Sequence, residues 1–160
     1  MNTVKKITGI WHGSYSYDAS AQVPELQPVP FTLDLKQGWF GRFTGTVVDD
    51  ATRGMPGTGT VTGCFSLPRI AFTKQMPVCY VVTPEGRNIT LREFLIGQGE
   101  ICERDVPHMP IFYQGEFSDP GRASGKWIIR AGPHSLWDGR AVKFPEATGG
   151  WTIENAAKPV

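Results

Sequence analysis

Lys74 is the residue whose chemistry conflicts most clearly with its position in the sequence pattern. It lies in an alternating run, residues 69–76, in which Ile70, Phe72 and Met76 share its side of a predicted strand. An ammonium group on an apolar face must reach water, pair with an anion or lose its charge. Lys74 is therefore a candidate contact for the anionic or polar group of a ligand. Two alternatives stay open: its stem snorkels out at the end of the strand, or its charge pairs with a buried carboxylate.

Aromatic residues share the inferred inner side of the neighbouring strands. The hydroxyl of a buried tyrosine usually bonds to a protein partner and sometimes to a ligand, so both interpretations stay open. The predicted ligand contacts are Lys74, Tyr15, Tyr17, Tyr113, Phe72 and Trp127.

Other motifs that could carry chemistry are weak. His12, His108 and His134 form no H-x-H or H-x-x-x-H pair, so we expect no metal. The glycine-rich run at residues 54–59 lacks the Lys-Ser/Thr of a phosphate loop and leads into a predicted strand, so we expect no nucleotide or other cofactor. The neighbouring carboxylates Asp49 and Asp50 fall at a predicted turn, where acidic side chains bond to the backbone. No catalytic residue can be assigned.

The charge balance limits the classes of partner. Lys and Arg total 16 and Asp and Glu 15, spread along the chain, which argues against nucleic acid and against a membrane as partners. No stretch approaches the roughly 18 apolar residues of a membrane span, and no apolar signal region follows the first lysines. Three cysteines without C-x-x-C spacing are expected to be free thiols, and a cytoplasmic location follows as the default.

Short apolar alternations with period two, separated by Gly and Pro, predict an all-β fold in a single domain, residues 1–160. Short connections at 37–38, 67–68 and 119–121 predict antiparallel hairpins. The eight predicted strands span residues 9–17, 31–37, 39–49, 58–66, 69–76, 111–118, 123–130 and 150–154.

A repeated apolar-x-Gly pattern favours closure of these strands into an eight-stranded antiparallel up-and-down barrel. It ends at Gly13, Gly45, Gly63 and Gly115, and strands of a small barrel need such bends. The alternative is a sandwich in which these glycines relieve crowding beside large aromatic rings.

One short helix is predicted in the long connection before the sixth strand. Thr90 and Glu93 have capping-box spacing, Leu91, Phe94 and Leu95 share one face, and Gly97 is a candidate C-cap. We expect the apolar face to plug the open end of the barrel, with a movable lid as the functional alternative.

Gly9-Ile10-Trp11 opens the first strand, and a glycine-punctuated meander follows, ending in Trp127 and Trp151. This pattern resembles the calycin group of barrels, the avidin-like and lipocalin-like families, and bacterial proteins of about this length. The resemblance implies a cavity for a small molecule at one end of the barrel, but the polar biotin contacts of the avidin family do not align with this chain.

Three hypotheses about function follow. The preferred one is a binding protein that holds a small apolar or aromatic molecule inside the barrel. The second is a barrel enzyme of secondary metabolism or detoxification, with Lys74 or a tyrosine as acid or base. The third is an interaction protein with a filled barrel, and self-association into a homo-oligomer is left open. The volume of the interior separates the third hypothesis from the other two.

Overall fold

Eight antiparallel strands close into a barrel in up-and-down order, and the first barrel strand pairs with the last. The computed structural model describes residues 6–18 and 27–157. The barrel strands are β1 (Gly9–Tyr17), β2 (Val29–Gln37), β3 (Arg42–Asp49), β4 (Thr58–Ser66), β5 (Arg69–Gln75), β8 (Ile111–Asp119), β9 (Arg122–Ile129) and β12 (Ala147–Asn155). The remaining elements are β6 (Tyr80–Val82), β7 (Asn88–Thr90), α1 (Leu91–Gly97), β10 (Gly132–Ser135) and β11 (Ala141–Phe144).

The predicted fold class is confirmed, and the eight barrel strands occur where they were predicted, with shifts of one to three residues at some of their ends. The short strands β6 with β7, and β10 with β11, form separate two-stranded sheets that the alternation did not indicate. Strand β3 begins at Arg42 and not at Trp39, because residues 38–41 form a turn in which the Arg42 N–H donates to the Trp39 carbonyl.

The inner face of the barrel is the predicted one. Trp11, Phe43, Tyr113 and Trp151 are all buried. In each of their strands, the side chains of alternate residues point outward. The described inner face is therefore mostly apolar and aromatic, and its buried charged residues are Asp49 and Lys74.

Glycines at inner positions let aromatic rings approach the backbone. A Cβ atom on Gly115 would overlap the Ser124 carbonyl oxygen and lie 2.7 Å from Trp151 Cζ2. The sandwich alternative explained these glycines by crowding beside large rings. Such crowding occurs at Gly115, but the strands form a closed barrel and not a sandwich.

The helix occurs where it was predicted, and its contacts differ in detail. Thr90 is the N-cap and its side chain accepts a hydrogen bond from the Glu93 N–H. The C-cap is Gln98 and not Gly97, and Phe94 is partly exposed. Among the strands, the helix contacts β6 and β7, and its buried residues Leu91 and Leu95 belong to the hydrophobic core cluster of the barrel. A plug or a lid at the barrel end stays a prediction.

The long connections all emerge at the same end of the barrel, which we call the rim. They are the connection from β1 to β2, residues 50–57, residues 76–110 and residues 130–146. Residues 76–110, which we call the rim excursion, contain β6, β7 and α1, and residues 130–146 contain the hairpin β10–β11. The opposite end, called the short-turn end, carries the turns at 38–41, 67–68 and 120–121. Loops at the rim are thus free to form a site on a fixed scaffold.

Two further expectations concern the thiols and the membrane. Cys64, Cys79 and Cys102 are free, as expected. Within the described ranges, no helix has the length and apolar character needed to cross a membrane.

Candidate functional site

A buried ion pair lies just inside the rim. Lys74 Nζ is 2.5 Å from Asp49 Oδ1, and both side chains are almost completely shielded from solvent. The Tyr15 hydroxyl donates to Asp49 Oδ2 at 2.9 Å, and the Met55 backbone N–H donates to the same oxygen at 3.2 Å. The carboxylate is therefore matched by one positive charge and two neutral donors, as a buried charge requires.

The strand register brings these groups together. Phe31 on β2 is opposite Asp49 on β3, so the inward position at the end of β3 faces the start of β2. The Lys74 ammonium lies 4.6 Å from the centre of the Tyr15 ring and 5.5 Å from that of Phe31. These aromatic faces add a second favourable environment for the cation.

Burial shifts the pKa values of Lys74 and of the nearby tyrosines. It lowers the pKa of Lys74, although the Asp49 charge and hydrogen bond oppose that change. It raises the pKa of Tyr15, Tyr17 and Tyr113, and the negative charge of Asp49 adds to the effect. The tyrosine hydroxyls therefore remain protonated at neutral pH and can donate hydrogen bonds.

The structure brings the six predicted ligand contacts together on the inner face. Tyr15 and Tyr17 pack edge to face on Trp127, with ring centres 6.2 Å and 5.0 Å from it. Phe72 stacks on Tyr113 at 4.6 Å, and Tyr113 is opposite Trp127 in the register of β8 and β9. Contact of these six residues with a ligand stays a prediction.

Of the two alternatives for Lys74, snorkelling is wrong. The residue is 1% exposed, and it bonds to a carboxylate within the barrel instead of extending past the rim. Pairing with a buried carboxylate is confirmed.

Asp49 is the partner that the sequence interpretation missed. The turn interpretation is right for Asp50, whose side chain accepts hydrogen bonds from the Thr52 N–H and hydroxyl. It is wrong for Asp49, which ends β3 on the same side as Phe43 and Val47. Period-two counting along β3 could have placed Asp49 inward.

A pocket of about 630 Å³ lies at the rim, against the outer side of the barrel wall. The outward residues Thr58, Thr60 and Gln75 form one wall, residues 104–110 form a second, and the hairpin β10–β11 forms a third. Nine of the lining residues are apolar: Met76, Pro77, Val106, Pro107, Met109, Pro110, Leu136, Trp137 and Phe144.

Two histidines, His108 and His134, line this pocket, together with the charged residues Arg104 and Asp105. His134 Nε2 is buried and has no hydrogen-bond partner in the described part of the chain. The ring of His134 is held edge to face against Phe144, with centres 5.4 Å apart. An unpaired buried nitrogen of this kind costs free energy.

His108 is fixed by its backbone and by its ring. Its N–H donates to the Met76 carbonyl at 3.3 Å, and the Gln75 side-chain amide donates to its carbonyl. Its Nδ1 lies 2.7 Å from the Met109 carbonyl, which can only accept, so Nδ1 carries the proton. Burial lowers the pKa of His108, and the Lys74 charge acts in the same direction. The neutral ring thus leaves Nε2 as an acceptor.

Within residues 6–18 and 27–157, no group of three His, Cys, Asp or Glu side chains is arranged to hold a metal ion. No family model, curated protein or solved structure matches the chain.

Proposed function

We propose that this protein binds a small apolar or aromatic molecule carrying a hydroxyl group, and that the rim pocket is its site. The observation that carries the proposal is a mostly apolar pocket lined by two histidines, one of which, His134, has a buried and unpartnered Nε2. A volume of about 630 Å³ lies within the usual range for small-molecule sites, roughly 300–1,000 Å³. A closed eight-stranded barrel with Trp11 near its start also supports a calycin-like classification.

The chemistry of the two histidines favours a hydroxyl over a group that only donates or only accepts. His108 Nε2 accepts, because Nδ1 holds the proton. A hydroxyl can donate its single proton to His108 Nε2 and use its lone pairs to accept from an N–H of the other ring. Both histidines line the rim pocket.

The described interior leads us to place the ligand at the rim and not at the barrel centre. The inner aromatic residues are buried against one another, and the Asp49–Lys74 pair lies below the rim. In this proposal, the pair and Tyr15 support the rim from within. An enzymatic role for Lys74 gains no support, because its ammonium is already engaged by Asp49.

An interaction protein is the second candidate function. The filled inner face favours it, since a barrel without an open interior is a rigid scaffold that can present its surface and loops to a partner. Free thiols are compatible with the reducing cytoplasm, which we propose as the location for either function.

Calorimetric titration with 4-ethylphenol and its methyl ether tests the ligand proposal. The phenol should bind the wild type, and the ether, which cannot donate, should bind about tenfold more weakly. His134→Gln should weaken phenol binding to a similar extent. His12→Gln, a matched change at an exposed histidine on the outer barrel face, should leave binding unchanged.

Two further variants locate the site. Thr58→Trp adds bulk at an exposed wall of the pocket and should block binding. Phe72→Leu alters the barrel interior and should not affect it. Binding that survives Thr58→Trp and is lost in Phe72→Leu would place the ligand inside the barrel, and absence of binding by both compounds would contradict the proposed ligand class.

A further inference from the structure

Two large aromatic side chains project from the short-turn end with almost no cover. Trp39 is 84% exposed and Phe40 is 96% exposed. Both belong to the turn between β2 and β3, which we call the aromatic tip. The Gly38 N–H donates to the Arg42 carbonyl, and the Arg42 N–H donates to the Trp39 carbonyl. These bonds hold the tip in a defined position at the end of two long strands.

The fold itself gains little from aromatic residues at these positions. Phe40 has φ of 55°, in the left-handed region, where a bulky side chain costs free energy that glycine or asparagine would avoid. Its ring recovers no burial in return. A strained backbone that displays an unburied ring indicates a role in contact with something outside this chain.

Four basic side chains lie at the same end of the barrel as the aromatic tip. Lys36 and Arg42 flank it on β2 and β3, and both are exposed. Lys6 is held nearby, because the Ile7 N–H donates to the Gln37 side chain. Arg69 follows the adjacent turn at the same end of the barrel. None of these four side chains forms an ion pair with another described residue.

We propose that the aromatic tip docks on an anionic lipid bilayer, with Trp39 and Phe40 in the headgroup region and the four basic side chains facing the lipid phosphates. Aromatic rings favour this interface, and clustered Lys and Arg add electrostatic attraction to anionic lipids. The whole-chain charge balance argued against a membrane, but it averages over the short-turn end. These four cations lie there with the carboxylates of Glu116 and Asp119, while Glu154 is paired with Arg122.

The shape of the tip favours a bilayer over a protein partner. A stable protein interface usually buries more than about 1,000 Å² and needs a complementary surface. The aromatic tip is a convex turn of few residues, and a bilayer can take it up without a preformed cavity. The proposal is independent of the ligand in the rim pocket at the other end of the barrel.

Vesicle binding tests this proposal. Wild-type protein should cosediment with vesicles of phosphatidylcholine and phosphatidylglycerol and bind vesicles of phosphatidylcholine alone at least tenfold more weakly. Trp39→Ser/Phe40→Ser should lower the partition coefficient on the anionic vesicles at least tenfold. Ile101→Ser is the matched control, because Ile101 is 79% exposed and lies in the rim excursion; it should bind as the wild type does.

Two measurements separate insertion from general adhesion. Brominated lipids should quench part of the tryptophan fluorescence of the bound wild type, and Trp39→Phe should lose that quenching while it still binds. Lys36→Gln/Arg42→Gln should lower the partition coefficient on anionic vesicles roughly 10- to 30-fold.

Several results would overturn the proposal: no vesicle binding by the wild type, equal binding by Trp39→Ser/Phe40→Ser, or quenching that persists in Trp39→Phe. Sedimentation velocity without lipid provides the remaining test. If the wild type self-associates, the double variant does not, and neither binds vesicles, the aromatic tip is a contact with a second copy of this chain and the membrane proposal is wrong.

Discussion

Lys74 and Asp49 form an ion pair that joins β5 to β3 inside the barrel, with Nζ and Oδ1 2.5 Å apart. Desolvation of both charges offsets much of their attraction, so the pair adds little net stability. The pair instead favours the one arrangement of β3 and β5 in which both charges meet, because separating the two residues would leave each charge buried without a partner. The two strands are not neighbours in the sheet, since β4 lies between them.

Lys74→Met should lower the free energy of unfolding by about 3–5 kcal/mol, since it leaves the Asp49 carboxylate buried without a cation. Lys74→Met/Asp49→Asn should recover part of that loss, because the new amide is uncharged and its oxygen can still accept from Tyr15. Urea unfolding of the wild type and the three variants, including Asp49→Asn alone, measures the coupling. An unchanged midpoint for Lys74→Met would show that the pair is not formed.

Trp127→Ala and Trp39→Ala are chemically identical changes at opposite extremes of burial. Trp127 is 2% exposed and its Nε1 donates to the Ser16 carbonyl, so its removal should cost about 3–5 kcal/mol. Trp39→Ala should change stability by less than about 0.5 kcal/mol. Equal costs in chemical denaturation would show that the inner face has been misassigned.

His108 should make the fold less stable in mild acid. Its pKa lies below the ordinary 6.5, chiefly because burial disfavours the imidazolium, so the unfolded chain binds its proton more readily than the native state does. Stability should therefore fall as pH decreases below about 6.5. Unfolding at pH 5 and pH 7 should show a smaller difference for His108→Gln than for the wild type. His12→Gln should retain the wild-type difference, and a similar loss in both variants would exclude His108 as the source.

Gly115→Ala should destabilise the barrel, because the new Cβ would overlap the Ser124 carbonyl and crowd Trp151. We expect a cost of about 1–3 kcal/mol, typical of overpacking. Gly97→Ala is the control: nothing lies within 4 Å of a Cβ there, and the helical site should gain about 0.5–1 kcal/mol. Thermal unfolding of both variants is sufficient, and a stabilised Gly115→Ala would contradict the packing described here.

The barrel was predictable because its inner and outer sides differ in chemistry at every second residue. Phe43, Val47 and their counterparts on other strands are buried as period two requires. The hairpin of β10 and β11 was not predicted, since strands of four residues are too short for alternation to stand out.

The candidate site was only partly predictable. Lys74 is a charged residue at an inward position of an apolar strand, and this departure from the alternation correctly indicated that its side chain needs a special partner, which is Asp49. The rim pocket combines Thr58, His108 and His134 from three separate connections and strand ends. Only the tertiary arrangement brings them together, so spacing along the chain carried no sign of their proximity.

The pairing of β1 with β12 also constrains how the barrel folds. It joins Trp11 to Asn155, so closure must wait until nearly all of the described chain is available. Contacts between residues so far apart carry a large loop-closure cost and are typical of folding on the millisecond-to-second scale. Until closure, β1 and β12 would each have an unpaired edge able to pair with another chain. The last strand to dock therefore removes both edges in a single step.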